Sequence, residues 1–372
     1  MTSGFVLTNY WFLIGWVAIM GVISFLIPYR RPERIMGRVQ YRWPIPMALV
    51  AIVPLIVWAG TRTDMFGDTG VYRNTFLNAP SQFSQWYNYA SGMDKDKGYY
   101  AVLVWIKSLI GNHDVAYFMI LAAVQLVCIF MVYRYLSEDF LLTLFFFVAS
   151  TDYMSWCWNG LRQMLAASLI FACAVLMIKR KIIPLFILII VFSLFHQSAL
   201  IMIPAVLIAQ GKAWNKRTIV YMVLMVLAVL FIGQFTSFLD TATEGTQYAN
   251  ITSDELWVND DGTNPIRALV YSVPAILSLI GKRYVDEAND PVINFSVNMS
   301  IMAAGIYLVS VFTSGILMGR LPIYMSLFSY ISLPWLLRNM FTKESRWIIY
   351  VIAIVLYLLF FYYQMHVTWK LM

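Results

Sequence analysis

The sequence predicts an all-α polytopic membrane protein, and three observations predict it. Of its 372 residues, 61% are hydrophobic and 12% charged, with mean hydropathy +0.71; a soluble domain carries about twice that charge. Apolar runs near the length that crosses a bilayer as a helix recur along the whole chain. The runs are continuous rather than alternating, which favours helices over a barrel. The net charge of +7 is read as cytoplasmic loop charge, not as a nucleic-acid surface. The expected surroundings are therefore a lipid bilayer, with no nucleic-acid partner.

Taken in order, about twelve spans are expected, at 5–28, 44–60, 115–133, 140–157, 159–178, 182–195, 197–210, 218–236, 265–281, 293–313, 321–337 and 347–366. The first lacks a preceding basic region and a small-residue cleavage site, so it reads as a retained helix rather than a signal peptide. The run "YYAVLVWIKSLIG" at 99–111 is too short to cross and carries Lys107, which makes it re-entrant or interfacial. No period of 20–50 residues marks a repeat array. The chain reads as one integral membrane domain over 1–372, with outer loops at 61–114 and 237–264. Cys128, Cys157 and Cys173 all lie inside apolar runs and read as small buried hydrophobes.

Basic residues set the orientation. The segments 29–42, 179–181, 211–217, 281–284 and 338–346 are rich in Lys and Arg and should face the cytoplasm. Threading the twelve spans puts them all on one side if 99–111 enters and leaves on the same face. The inner loops then hold 17 basic and 7 acidic residues, and the outer side 9 and 12. Both termini face outward on this reading. The two long outer loops are where function is expected, since structured loops on a rigid scaffold commonly carry it.

Polar residues concentrate at that outer face, and ionisable groups at membrane depth point to function. Asp64 and Asp68 follow the second span. Asp68 and Tyr72 are spaced i, i+4 and share a face if the segment is helical; the alternative is an acid that caps a helix or pairs with Arg73. Asn159, Arg162 and Gln163 sit at i, i+3 and i+4 and should line one stripe of a helix start. Arginine opposes the dipole there unless an anion lies between, and a pyrophosphate suits both the helix end and the guanidinium; the alternative is Arg162 snorkelling to the interface. His196 is flanked by Gln197 and Ser198 and can act as acid, base or phosphate ligand; otherwise it bonds a neighbouring helix. Arg267 and Arg320 open two later spans as ligands or as interfacial anchors.

The ordered set resembles a known family. "GDTGVYRNTF" resembles its Gly-Asp-Thr segment with a following Tyr and aromatic, and "DKGYY" its acidic-x-Gly-Tyr segment. "NGLRQMLAASLIF" is similar to its Arg-Gln-x-x-Ala helix, "FHQSALIMIP" to its Phe-His-x-Ser-Ala-Leu segment, and "GRLPIYM" to its late Arg-x-x-x-Tyr. The family is that of EpsG-like, Wzy-type bacterial polysaccharide polymerases, and the resemblance runs through residues 60–330. One position departs: Asp96 stands where the family often has glutamate. The resemblance implies a GT-C-like arrangement, a catalytic acid in the first outer loop, and a polyprenyl-pyrophosphate-linked oligosaccharide as substrate. The setting it implies is the bacterial cytoplasmic membrane with the site facing outward, in exopolysaccharide, capsule or O-antigen synthesis.

On that reading Asp68 is the base for the acceptor hydroxyl or its orienter, and Asp64 stands second. Arg162, Arg320 and His196 hold the pyrophosphate, with Arg267 beside them. Tyr72, Asp96, Tyr99, Asn159, Gln163 and Tyr324 contact sugar or phosphate oxygens. No cofactor is expected: the acids could hold a divalent metal, but the arginines already supply the charge. Other membrane proteins of polysaccharide synthesis are candidate partners. The rival functions are a membrane O-acyltransferase, with His196 as its base, and a polysaccharide flippase. The flippase would place charge at mid-bilayer and carry internal symmetry, and neither is evident.

Overall fold

The computed structural model describes residues 10–371 apart from 65, 246–250, 254–256 and 258. The first residues of the 5–28 span and parts of the 237–264 loop therefore lie outside the described residues. The described chain is nearly all-α. Its one sheet is an antiparallel hairpin, Arg31–Ile35 with Arg38–Arg42, inside the basic segment 29–42.

Every predicted apolar run forms helix, but the expected twelve spans are not reached. Among the described residues, three helices are long and apolar enough to cross a membrane: Asp114–Leu136, Pro291–Val311 and Lys343–Thr368. The number rises to six if each of three bent pairs is one span. Phe140–Ala149 meets Tyr153–Asn159 at 70°, Lys216–Leu230 meets Ile232–Ala242 at 109°, and Pro265–Ile280 meets Lys282–Ala288 at 70°. The remaining runs are cut short. Trp11–Leu26 and Ile45–Gly60 have 16 residues each, and Leu161–Ala172 and Ile182–Ser193 have 12. At 1.5 Å per residue, 16 residues span about 24 Å against a hydrocarbon core of about 30 Å. The apolar runs are visible in the sequence; the breaks are local backbone events.

The chain divides into two compact units. The first comprises Met1–Gly92, Gly98–Ser168 and Leu337–Met372, and the second Met93–Lys97 and Leu169–Leu336. In the first, Ile45–Gly60 packs along Asp114–Leu136, and Trp11–Leu26 lies on Phe140–Ala149. The basic hairpin is pinned by Arg134, whose Nε donates to the Trp43 carbonyl at 2.6 Å and whose Nη1 donates to Glu33 at 3.1 Å.

In the second unit, Pro291–Val311 is the central helix and is buried along almost all of its length. Lys216–Leu230 and Pro265–Ile280 pack on it. Two of its interior polar groups, Asn298 and Ser300, are matched by their neighbours. Asn298 accepts from the Trp214 amide at 3.1 Å and donates to the carbonyls of Ala209 and Lys212 at 2.9 and 3.0 Å. Ser300 bonds Ser329 and Ser332 at 3.0 and 3.2 Å. Such pairing is what makes polar side chains tolerable in an apolar surround.

Candidate functional site

In the first unit the chain leaves Ile45–Gly60 and turns through residues 61–68 into the helix Thr69–Asn78. Three cations hold this helix from different directions. Arg62 points inward and is 4% exposed. Its Nε donates to Thr69 Oγ1 at 3.1 Å and its Nη1 to the Ala59 carbonyl, while the guanidinium lies 3.9 Å from the Phe118 ring centroid. Burial lowers its pKa to about 10, so it remains a cation at neutral pH and gains from the aromatic face. Arg73 pairs with Asp64 and, through Nε at 2.6 Å, with Asp114. Lys107 is buried and donates from Nζ to the carbonyls of Phe76 at 2.9 Å and Leu77 at 2.6 Å, a favourable place for positive charge at the helix C-terminus.

Asp68 is treated differently. It occupies the N-cap position of Thr69–Asn78, yet its side chain does not cap the helix. It is exposed, and its carboxylate has no hydrogen-bond or ion-pair partner among the described residues. What is fixed is its backbone: its N–H donates to Asn159 Oδ1 at 2.7 Å. Gly67 makes this approach feasible. It has φ +49°, and a Cβ there would lie 2.2 Å from Asn159 Oδ1, so only glycine suits both the backbone and the contact.

Tyr72 hydrogen-bonds the Asp68 carbonyl through its N–H at 3.0 Å, but its ring turns inward. It meets Tyr99 edge to face at 6.4 Å, and the Tyr99 hydroxyl hydrogen-bonds that of Tyr117. Burial holds the Tyr99 phenol well above its usual pKa, with the nearby Arg162 charge opposing the shift. Tyr99 is therefore a neutral hydrogen-bonding group, not a base.

Asn159 reaches Asp68 by a special route. Thr151, buried and β-branched, adopts φ +67°, an outlier for that residue type. It precedes the π-wound segment Tyr153–Asn159, in which the indole of Trp156 donates to the buried Asp152 at 3.2 Å. The α-helix begins only at Leu161. This corrects the expected single stripe of Asn159, Arg162 and Gln163: the winding changes at Gly160, so helical i, i+3, i+4 spacing does not apply across it. Asn159 faces Asp68, Gln163 is buried and Arg162 half-buried.

The second unit holds a smaller polar cluster. His196 precedes the 3₁₀ turn Gln197–Ile201, and its Nδ1 hydrogen-bonds Ser198 Oγ at 2.7 Å. Ser198 in turn hydrogen-bonds the hydroxyl of buried Tyr324 at 3.0 Å. Arg320 ends the 3₁₀ turn Met318–Arg320, just ahead of the short helix Ile323–Ser326 that carries Tyr324. Arg267 lies with its guanidinium 5.5 Å from the Tyr271 ring. Asp96, buried at φ +56°, belongs to this unit's Met93–Lys97 segment.

Two ordered sets thus emerge: Asp64, Asp68, Tyr72, Tyr99, Asn159 and Arg162 in the first unit, and His196 with Tyr324 in the second. Sequence reasoning missed Arg62 and Asp114 in the first and the bridging role of Ser198 in the second. An arginine two residues past an apolar run is the one signal the sequence offers for Arg62. Among the described residues no three His, Cys, Asp or Glu side chains converge on a metal position.

The chain matches the EpsG family over residues 46–370. It belongs to the EpsG family. This is the family of Wzy-type exopolysaccharide polymerases. The EpsG match starts within Ile45–Gly60 and runs beyond Lys343–Thr368, so both polar clusters fall inside it, while the basic hairpin falls before it. No curated protein and no solved structure matches the chain.

Proposed function

We propose that this EpsG-family protein is a membrane glycosyltransferase that joins polyprenyl-pyrophosphate-linked oligosaccharide repeats on the outer face of the bacterial cytoplasmic membrane. The observation that carries the reading is Asp68: an exposed carboxylate, uncommitted among the described residues, on a backbone fixed by Asn159.

The chemistry assigns it a role. The acceptor hydroxyl attacks the anomeric carbon of the donor. The new C–O bond forms as the bond from that carbon to the pyrophosphate oxygen breaks, and the lipid pyrophosphate leaves with the electron pair. Asp68 takes the hydroxyl proton. Arg162, His196 and Arg320 stabilise the charge on the leaving pyrophosphate, with Arg267 as a further cation. Tyr72 and Tyr99 orient sugar oxygens, and Gln163, Asp96 and Tyr324 shape the surrounding polar lining. Asp64 is secondary because Arg73 holds it. A GT-C-like arrangement suits the reading, since segment 61–114 pairs acids with the short amphipathic helix Lys97–Ile110.

The test is glycan chain length in cells lacking the protein, complemented with wild type or Asp68→Asn at equal membrane levels. The expected result is single lipid-linked repeats with the variant and long polymer with wild type. Long polymer with Asp68→Asn removes Asp68 from the reaction.

A second reading rests on the His196–Ser198 hydrogen bond, the contact that a base makes with a hydroxyl nucleophile. A membrane O-acyltransferase would need His196 and not Asp68. In that case polymer persists in the null strain and only its acyl decoration is lost.

A further inference from the structure

The last residues before Pro265–Ile280 do more than connect. Asp260 Oδ2 accepts from Ser314 Oγ and from the Ile316 N–H, both at 2.7 Å, and its Oδ1 accepts from the Gly262 N–H at 3.0 Å. The contact continues along the chain. The Thr263 N–H donates to the Ser310 carbonyl at 2.8 Å, and Ser310 Oγ donates to Thr263 Oγ1 at 2.8 Å. Ser314 passes the restraint on, accepting from the Leu317 N–H at 3.0 Å through Oγ and from the Gly319 N–H at 3.0 Å through its carbonyl.

The two segments approach as closely as backbones allow. Gly262 has φ +81°, and a Cβ on it would lie 2.5 Å from the Val311 carbonyl oxygen; one on Gly319 would lie 2.3 Å from Thr263 Oγ1. Arg320 is the next residue after Gly319, and Tyr324 follows on the short helix behind it. A charged acceptor with three donors fixes geometry more firmly than neutral pairs do.

We propose that Asp260 is a positioning residue for Arg320: it clamps the 314–319 turn so that the guanidinium is presented to a polyprenyl pyrophosphate. This rests on the reading of Arg320 as a pyrophosphate ligand. Asp260 touches no substrate in this role and acts through Ser314 and the turn backbone.

The experiment measures binding of a polyprenyl pyrophosphate to the full-length protein in detergent, for wild type, Asp260→Ala, Arg320→Gln and the double variant, with thermal melting run on each. The expected losses are about 10-fold for Asp260→Ala and about 30-fold for Arg320→Gln. The double variant should bind within about 2-fold of Arg320→Gln alone, because two residues acting through one contact do not add. Asp260→Asn keeps one acceptor oxygen and should fall between wild type and alanine. If Asp260→Ala does not fold, Ser314→Ala replaces it and must show the same coupling to Arg320→Gln.

Losses that multiply, or an Asp260 variant that binds like wild type while Arg320→Gln does not, overturn the positioning role and leave Arg320 as a ligand. If Arg320→Gln binds like wild type, the ligand assignment falls, and the positioning role falls with it.

Discussion

Segment 61–114 and the pair of segments 260–264 and 310–320 are both held by charge, but with opposite signs. In the first, cations do the holding. Arg62 binds Thr69 and the Ala59 carbonyl, Arg73 binds two carboxylates, and Lys107 closes the end of Thr69–Asn78. In the second, an acid does it: Asp260 gathers two N–H groups and a hydroxyl. The lesson is that formal charge does not reveal a residue's task in this protein; its partner does. The first region immobilises its cations and presents an acid, Asp68. The second immobilises an acid and carries a cation, Arg320, at the end of the clamped turn.

The sharpest way to break this contrast is at Asp68 itself. Removing a general base costs about 100-fold or more, so the chain-length experiment with Asp68→Asn should show the largest effect. Next comes its support. Alanine at Gly67 must adopt φ +49° and displace Asn159. The backbone cost is about 1 kcal/mol and the lost hydrogen bond about 1 kcal/mol, together about 30-fold in rate. Polymerisation by Gly67→Ala in isolated membranes should fall by that amount with Asp68 still present. A rate equal to wild type would mean that the fixed backbone of Asp68 is irrelevant.

Lys107 should separate holding from chemistry. Methionine keeps most of its apolar stem but leaves the Phe76 and Leu77 carbonyls without their charged donor, at about 1–3 kcal/mol. Lys107→Met should melt several degrees lower while its rate per folded molecule stays within about 2-fold of wild type. A large rate loss without a change in melting would move Lys107 from scaffold to chemistry.

Much of this was readable in advance, and the failures have a physical pattern. The helices were legible because apolar runs must satisfy their backbone internally. Their lengths were not, because the breaks depend on tertiary context: nothing in "ASTDYMS" announces that Thr151 will be forced to φ +67°. The i, i+4 relation of Asp68 and Tyr72 held as backbone, with Tyr72 N–H on the Asp68 carbonyl. Their side chains nevertheless part, because Tyr72 is drawn into the Tyr99 and Tyr117 cluster. The stripe from Asn159 to Gln163 failed because π winding ends inside it. Long-range pairs such as Arg73 with Asp114 and Asp260 with Ser314 join residues 41 and 54 positions apart, and no local spacing rule reaches that far.

The smallest expected effect is the most diagnostic of the contrast. Asp64 lies four residues before Asp68 and has the same chemistry, yet it is joined to Arg73 and 58% exposed. Surface ion pairs contribute about 0–1 kcal/mol, and Arg73 retains Asp114 at 2.6 Å when Asp64 is neutralised. Asp64→Asn should therefore keep polymer length close to wild type, with a rate loss of less than about 3-fold. Measured beside Asp68→Asn, it asks whether the partner or the position decides which acid does the chemistry. If both substitutions abolish polymer equally, the Arg73 pair is part of the reacting group rather than its frame, and the two acids act as one.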